Sequence, residues 1–141
     1  MKSVAVFILI LFTGGLNIAY SCEPTFPRNP FRHSKVVFFG ELVEVSETSD
    51  RCVQIIKLKV ERYWKGKPSQ YISVQTPTTL CCGFGRLHVG EKFLVYAYPE
   101  KGGQLETDVG WMFTDEFAEA QIKKLGKGKI LESIAPTEPW R

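Results

Sequence analysis

From residue 35 onward, apolar and polar positions alternate in stretches that suit β-strands. Lys35 to Glu47 carries Val36, Val37, Phe38, Phe39, Leu42, Val43 and Val45, which predicts a long strand with Gly40 as a bend or bulge. Glu47 to Arg51 is polar and reads as a turn. Cys52 to Tyr63 alternates cleanly, with Ile56, Leu58, Val60 and Arg62 on one face and Ile55, Lys57, Lys59 and Glu61 on the other. Trp64-Lys65-Gly66-Lys67-Pro68 breaks that pattern and reads as a loop. Tyr71 to Thr76 alternates again through Ile72 and Val74, and Pro77 to His88 is irregular. Gly90-Glu91 marks a turn before a strongly β-forming run, Lys92 to Tyr98. Lys101-Gly102-Gly103 then predicts a hairpin turn into a short strand near Gln104 to Val109.

The period changes after residue 113. Thr114 or Asp115 suits a helix N-cap, with Asp115 and Glu116 favourable in the first turn. Ala118, Ile122 and Leu125 fall at i, i+4 and i+7, one apolar stripe. Lys123, Lys124 and Gly126 suit the end of that helix. Lys123 to Lys129 is more simply a solvated helix terminus than a binding patch, and Ile130 to Arg141 reads as a loose tail. Residues 22–34 hold Pro24, Pro27 and Pro30, which predicts an extended, stiff segment over the body. Five strands, short turns and a terminal helix give a mainly β fold. A five-stranded oligonucleotide/oligosaccharide-binding (OB) type barrel fits, because closure removes exposed edges, although a sandwich shares the same pattern.

The chain has 141 residues, enough for one domain. With 44% hydrophobic and 23% charged residues it is built to fold, not to stay disordered. Met1 to Ser21 reads as a signal peptide: Lys2, an apolar run from Val4 to Phe12, then Ala19-Tyr20-Ser21 with small residues where a signal peptidase reads. The run is short of the ~20 residues that span a bilayer, so no stable membrane insertion is expected after processing. Cleavage leaves Cys22 at the N-terminus. It removes Lys2 and no acid, taking the formal charge from +3 to +2. The expected location is extracellular, or periplasmic in a bacterium. Lipidation of Cys22 is the rival processing, and bulky Tyr20 two residues before it speaks against that. The organisation expected is 1–21 signal peptide, 22–126 barrel domain and 127–141 C-terminal tail.

Cys22, Cys52, Cys81 and Cys82 make an even set, which in an exported domain predicts two disulfides. Bonding Cys81 to its neighbour Cys82 would force a strained ring. The two remaining pairings both tie Cys22 to the 81–82 dipeptide and connect Cys52 to the other member. Zinc ligation is the weaker reading, because there is no C-x-x-C and only His33 and His88 are at hand. Neither histidine neighbours a recognisable nucleophile, and no Asp/Glu pair stands out for acid–base work, so no enzyme activity and no cofactor are predicted. Tyr63, Trp64 and Phe84 read as core or turn packing. Export and a charge of +2 argue against a nucleic-acid partner.

Several runs, in order, resemble a known family. They are Cys22-Glu23-Pro24, then Val36 to Val45, Val60-Glu61-Arg62-Tyr63-Trp64-Lys65-Gly66, Cys82-Gly83-Phe84, and Val89 to Ala97. Together they resemble the tissue inhibitors of metalloproteinases, most closely the short single-domain members found outside animals. The resemblance covers Cys22 to Leu125 and not the second, cysteine-rich domain of the animal inhibitors. It implies a netrin-like OB barrel with a C-terminal helix. It also implies inhibition of a secreted or cell-surface zinc metalloproteinase, with the α-amine and carbonyl oxygen of Cys22 chelating the target's catalytic zinc in trans. By position, Cys22, Glu23, Pro24 and Thr25 form the leading wedge, and Thr78, Thr79, Leu80, Gly83 and Phe84 flank it. The pairing it implies is Cys22–Cys82 with Cys52–Cys81.

Two departures from the family pattern matter. Pro24 stands where the family has a second cysteine, and residues 107–112 lack that cysteine's partner, so one whole bridge is missing. Glu23 stands where the family carries a small or neutral residue. Its carboxylate would meet the proteinase's catalytic glutamate in a poorly hydrated pocket, which disfavours tight inhibition unless the pocket is basic. The alternative function is a non-inhibitory extracellular netrin-like binding or adhesion module.

Overall fold

A computed structural model of the chain describes residues 28–108 and 111–131. The described chain opens with a one-turn helix, α1 (Pro30–His33), followed by strands β1 (Val36–Glu47), β2 (Val53–Lys65) and β3 (Tyr71–Pro77). A 3-10 turn (Thr79–Cys81) leads through an irregular loop to β4 (Lys92–Pro99). Short strands β5 (Leu105–Glu106) and β6 (Met112–Thr114), helix α2 (Asp115–Leu125) and strand β7 (Lys129–Ile130) complete the order.

Five strands close into a barrel in the order β1-β2-β3-β5-β4, with β4 pairing back on β1. The β3–β5 pairing is parallel and the other contacts around the ring are antiparallel. This is the OB-type barrel with a C-terminal helix that the pattern predicts. β1 serves two neighbours at once: Gly40 pairs with Val60 on one side and Phe93 on the other. Register shifts in the β1–β2 ladder, one of them between Phe39 and Gly40, coil the strand enough to do so. A Cβ at Gly40 would lie 2.5 Å from the Lys59 carbonyl oxygen, so the bend expected there requires glycine.

The inward positions of the alternating strands fill the barrel. Phe38, Leu42, Ile56, Leu58, Val60, Ile72, Val74, Phe93, Val95 and Met112 are buried together, and Tyr63, Phe84 and Leu87 cap this core. A second, smaller core lies outside the barrel wall, where Ala118, Ile122 and Leu125 of α2 pack on Val37, Leu94, Tyr96 and Trp64. The predicted helical stripe is therefore the face that docks. Gly126 ends the helix, its N–H donating to the Ile122 carbonyl at 3.0 Å. Among the described residues no helix is long and apolar enough to cross a membrane.

Three expectations are corrected. The proline-rich segment is not extended throughout, because Pro30 occupies the first position of α1, where its missing N–H has no intrahelical role. The Asn29 side chain accepts from the Arg32 N–H at 3.1 Å and caps that turn. Residues 22–27 lie outside the described part. β2 does not stop at Tyr63 but runs to Lys65, since Val37 of β1 is available opposite Lys65 and Lys129 opposite Tyr63. The loop expected at Trp64 therefore begins at Gly66, whose positive φ of 76° makes the turn. Finally, Ile130 is not tail but strand, paired with Arg62. β6 escapes prediction because three residues carry too little alternation, yet it hydrogen-bonds to β4 and buries Met112.

Candidate functional site

The loop that follows β3 holds the part of the expected site that lies among the described residues. Thr78 receives the chain from β3. Its N–H donates to the Cys52 carbonyl at 2.9 Å, and its hydroxyl donates to the Arg51 carbonyl at 2.7 Å. Its own carbonyl accepts from the Cys81 and Gly83 N–H groups at 3.0 and 2.8 Å. The Cys52–Cys81 disulfide, with Cα atoms 5.1 Å apart, fastens the turn to the start of β2. Cys82 adopts the left-handed conformation, φ 66°, and is itself disulfide-bonded, its partner lying outside the described residues. At Gly83 a Cβ would collide with the Pro77 carbonyl, so only glycine lets the chain double back there.

The side chains on this scaffold divide into two groups. Leu80 stands at the crest, 76% exposed, beside exposed Thr79. Phe84 turns inward and meets Phe93 edge-to-face, ring centroids 6.3 Å apart, so it belongs to the core as expected of it. Thr78, Thr79, Leu80, Gly83 and Phe84 are thus brought into one cross-linked loop. Cys22, Glu23, Pro24 and Thr25 lie outside the described residues.

A groove of about 710 Å³ runs beside the crest. One wall is Thr78 to Leu80 and Gly85 to Leu87, and the other is the end of β1, the following turn and the start of β2. That turn is braced from within. The Thr48 hydroxyl donates to the Asp50 and Val53 carbonyls at 3.0 and 2.9 Å, and the Asp50 carboxylate accepts from the Cys52 N–H at 2.8 Å. Arg51 and Arg86 are both exposed and line the groove, making no ion pair with any described residue. Glu47 and Asp50 line it as well, so the groove offers both charges beside apolar surface and can take a mixed polar and apolar segment. The turn's part in it was not legible in the sequence, where Glu47 to Arg51 looks like any polar connection.

Beyond the loop, His88 and Glu91 pair across the turn before β4. The His88 N–H donates to Glu91 at 3.0 Å, which holds that carboxyl below its usual range. On the opposite side of the fold, burial raises the Glu106 carboxyl, and a hydrogen bond with Glu100 adds to it. Tyr98 beside them is pushed up to about 12, first by burial and then by Glu106, Asp108 and Glu100. Among the described residues no group of three or more His, Cys, Asp or Glu side chains is arranged to hold a metal ion. No family model and no curated protein matches the chain.

Proposed function

We propose that the chain is a secreted inhibitor-like protein directed at zinc metalloendopeptidases, with the α-amine and carbonyl oxygen of Cys22 chelating the target's catalytic zinc. The observation that carries this reading is the double tether at the 81–82 dipeptide. Cys81 is bonded to Cys52, and Cys82 is bonded to a cysteine outside the described residues, where the reading places Cys22. Such a bridge would fix the leading residues against the loop of Thr78 to Gly83, so little ordering entropy would be lost on docking. The α-amine, with an ordinary pKa near ~8, is readily neutral and able to coordinate. Exposed Leu80 and Thr79 would stand beside the wedge and touch the rim of the target's cleft.

The test is a chain with one extra residue. A protein beginning at Cys22 should inhibit one or more members of a zinc endopeptidase panel, and the same protein with Ala placed before Cys22 should lose that inhibition by at least a hundredfold, about 3 kcal/mol. Equal inhibition by both would rule out chelation. The second reading, a non-inhibitory binding or adhesion module, draws on the groove between the β1–β2 turn and the Gly85–Leu87 segment, which needs no free amine. It predicts partner binding that is indifferent to the added Ala.

A further inference from the structure

The segment after α2 is laid down more firmly than a solvated helix end requires. The Trp64 indole N–H donates to the Gly126 carbonyl at 2.9 Å. Gly128, at φ 65°, passes so close to that indole that a Cβ would sit 2.8 Å from the ring and 3.1 Å from Cγ of Arg62. Lys129 and Ile130 then pair with Tyr63 and Arg62 of β2. Residues 126–130 thus form a strap with a fixed path across the end of β2.

That path collects positive charge. Lys123, Lys124, Lys127 and Lys129 are all exposed, and residues 120–131 contain no acid. Arg62 lies beside the strap at Gly128. None of these five cations is in an ion pair with a described residue. Glu61, the acid preceding Arg62 on β2, is engaged by Lys92 at 2.9 Å. Like charges held together without counter-charge oppose folding, and glycine-dependent close packing holds them there nonetheless. From Lys123 to Lys129 the row is at most about 20 Å long.

From this arrangement we infer that the strap, with the last turn of α2 and Arg62, is a docking surface for a linear acidic polysaccharide carrying sulfate groups along its chain. A row of pre-ordered cations matches a row of anions and loses little entropy on binding. A bilayer surface fits less well. The apolar stripe of α2 faces the core, and Phe117 on its outer side is bracketed by exposed Glu116 and Glu119, which anionic headgroups would repel. Nucleic acid fits less well again, since the Trp64 ring is covered by Gly128 and offers no stacking platform.

Immobilised heparin is the probe, with retention measured against sodium chloride. The double variant Lys127→Gln/Lys129→Gln should bind roughly tenfold more weakly at moderate salt, its salt slope falling by about one unit per cation removed. Arg51→Gln/Lys57→Gln removes the same charge from exposed sites before and within the first half of β2, away from the strap's partners Arg62 and Tyr63, and should bind like the wild type. Gly128→Ala keeps every charge but forces the strap off Trp64, and should also lose retention while melting cooperatively. Equal weakening in the two double variants would reduce the effect to net charge and overturn the inference. So would a wild type retained by vesicles of anionic phospholipid but not by heparin.

Discussion

Thr76 stands inside the barrel, 2% exposed, and its hydroxyl has no hydrogen-bond partner among the described residues. An unsatisfied buried hydroxyl opposes folding, whereas a methyl of the same shape would not. Thr76→Val should therefore raise the unfolding free energy by about 1 kcal/mol, read from the denaturant midpoint at unchanged slope. A lower midpoint would show that the hydroxyl is satisfied in solution. Gly83 makes the opposite case. Its backbone passes so close to the Pro77 and Thr78 carbonyls that any side chain must displace the loop. Gly83→Ala should cost about 1–3 kcal/mol, and should shift the crest at Leu80 along with stability. Thr107 shows what a satisfied neighbour looks like, its buried hydroxyl donating to the Tyr96 carbonyl at 3.2 Å.

Among the elements, β5 has the least redundancy, because two residues join β3 to β4 and close the ring. One of them is Glu106, whose carboxyl is raised by burial and by its contact with Glu100. In the unfolded chain the Glu106 carboxyl titrates in its ordinary range, so the folded state holds its proton more tightly. The stability this contributes is present in acid, and is lost as pH rises through the elevated value. Glu106→Gln should accordingly raise the melting temperature at pH 7 and lose that advantage as pH falls below the ordinary carboxyl range. A gain independent of pH would point to packing instead. The same element explains what a reader of the sequence can and cannot see. β1, β2 and β3 are legible because alternating positions keep one face against the core, and β4 because it is a continuous β-forming run, buried on one face by the barrel and on the other by α2. β5 is legible only through the Lys101-Gly102-Gly103 turn that precedes it, whereas β6 and β7, of three and two residues, exist through their partners, which no local pattern reports. Pro30 misleads for a different reason: proline forbids helix interiors but favours the first helical position. The crest loop shows in its Cys-Cys-Gly-Phe-Gly run. The facing wall of the groove does not, since Thr48, Asp50 and Arg51 differ in no visible way from ordinary turn residues.

At the scale of the whole molecule, the barrel sets two surfaces apart. One is the cross-linked loop of Thr78 to Gly83 with its groove. The other is the lysine strap at the end of β2, on separate elements and with separate chemistry. The proposal at the first surface makes a charge prediction. Glu23 would bring a carboxylate toward a zinc proteinase's own glutamate, so Glu23→Ala in a chain beginning at Cys22 should inhibit an ordinary zinc endopeptidase about tenfold or more better than the wild type. Equal inhibition would refute that charge argument, and weaker inhibition would identify a target with a basic pocket. The most direct test reads the metal itself. The target's zinc is replaced by cobalt, and its visible spectrum is followed as the chain beginning at Cys22 is added. Direct coordination by the amine nitrogen and carbonyl oxygen predicts a shift of the cobalt bands that saturates at one equivalent and is absent with the Ala-extended chain. A one-to-one complex that leaves the cobalt bands where they stand in the free enzyme would contradict it.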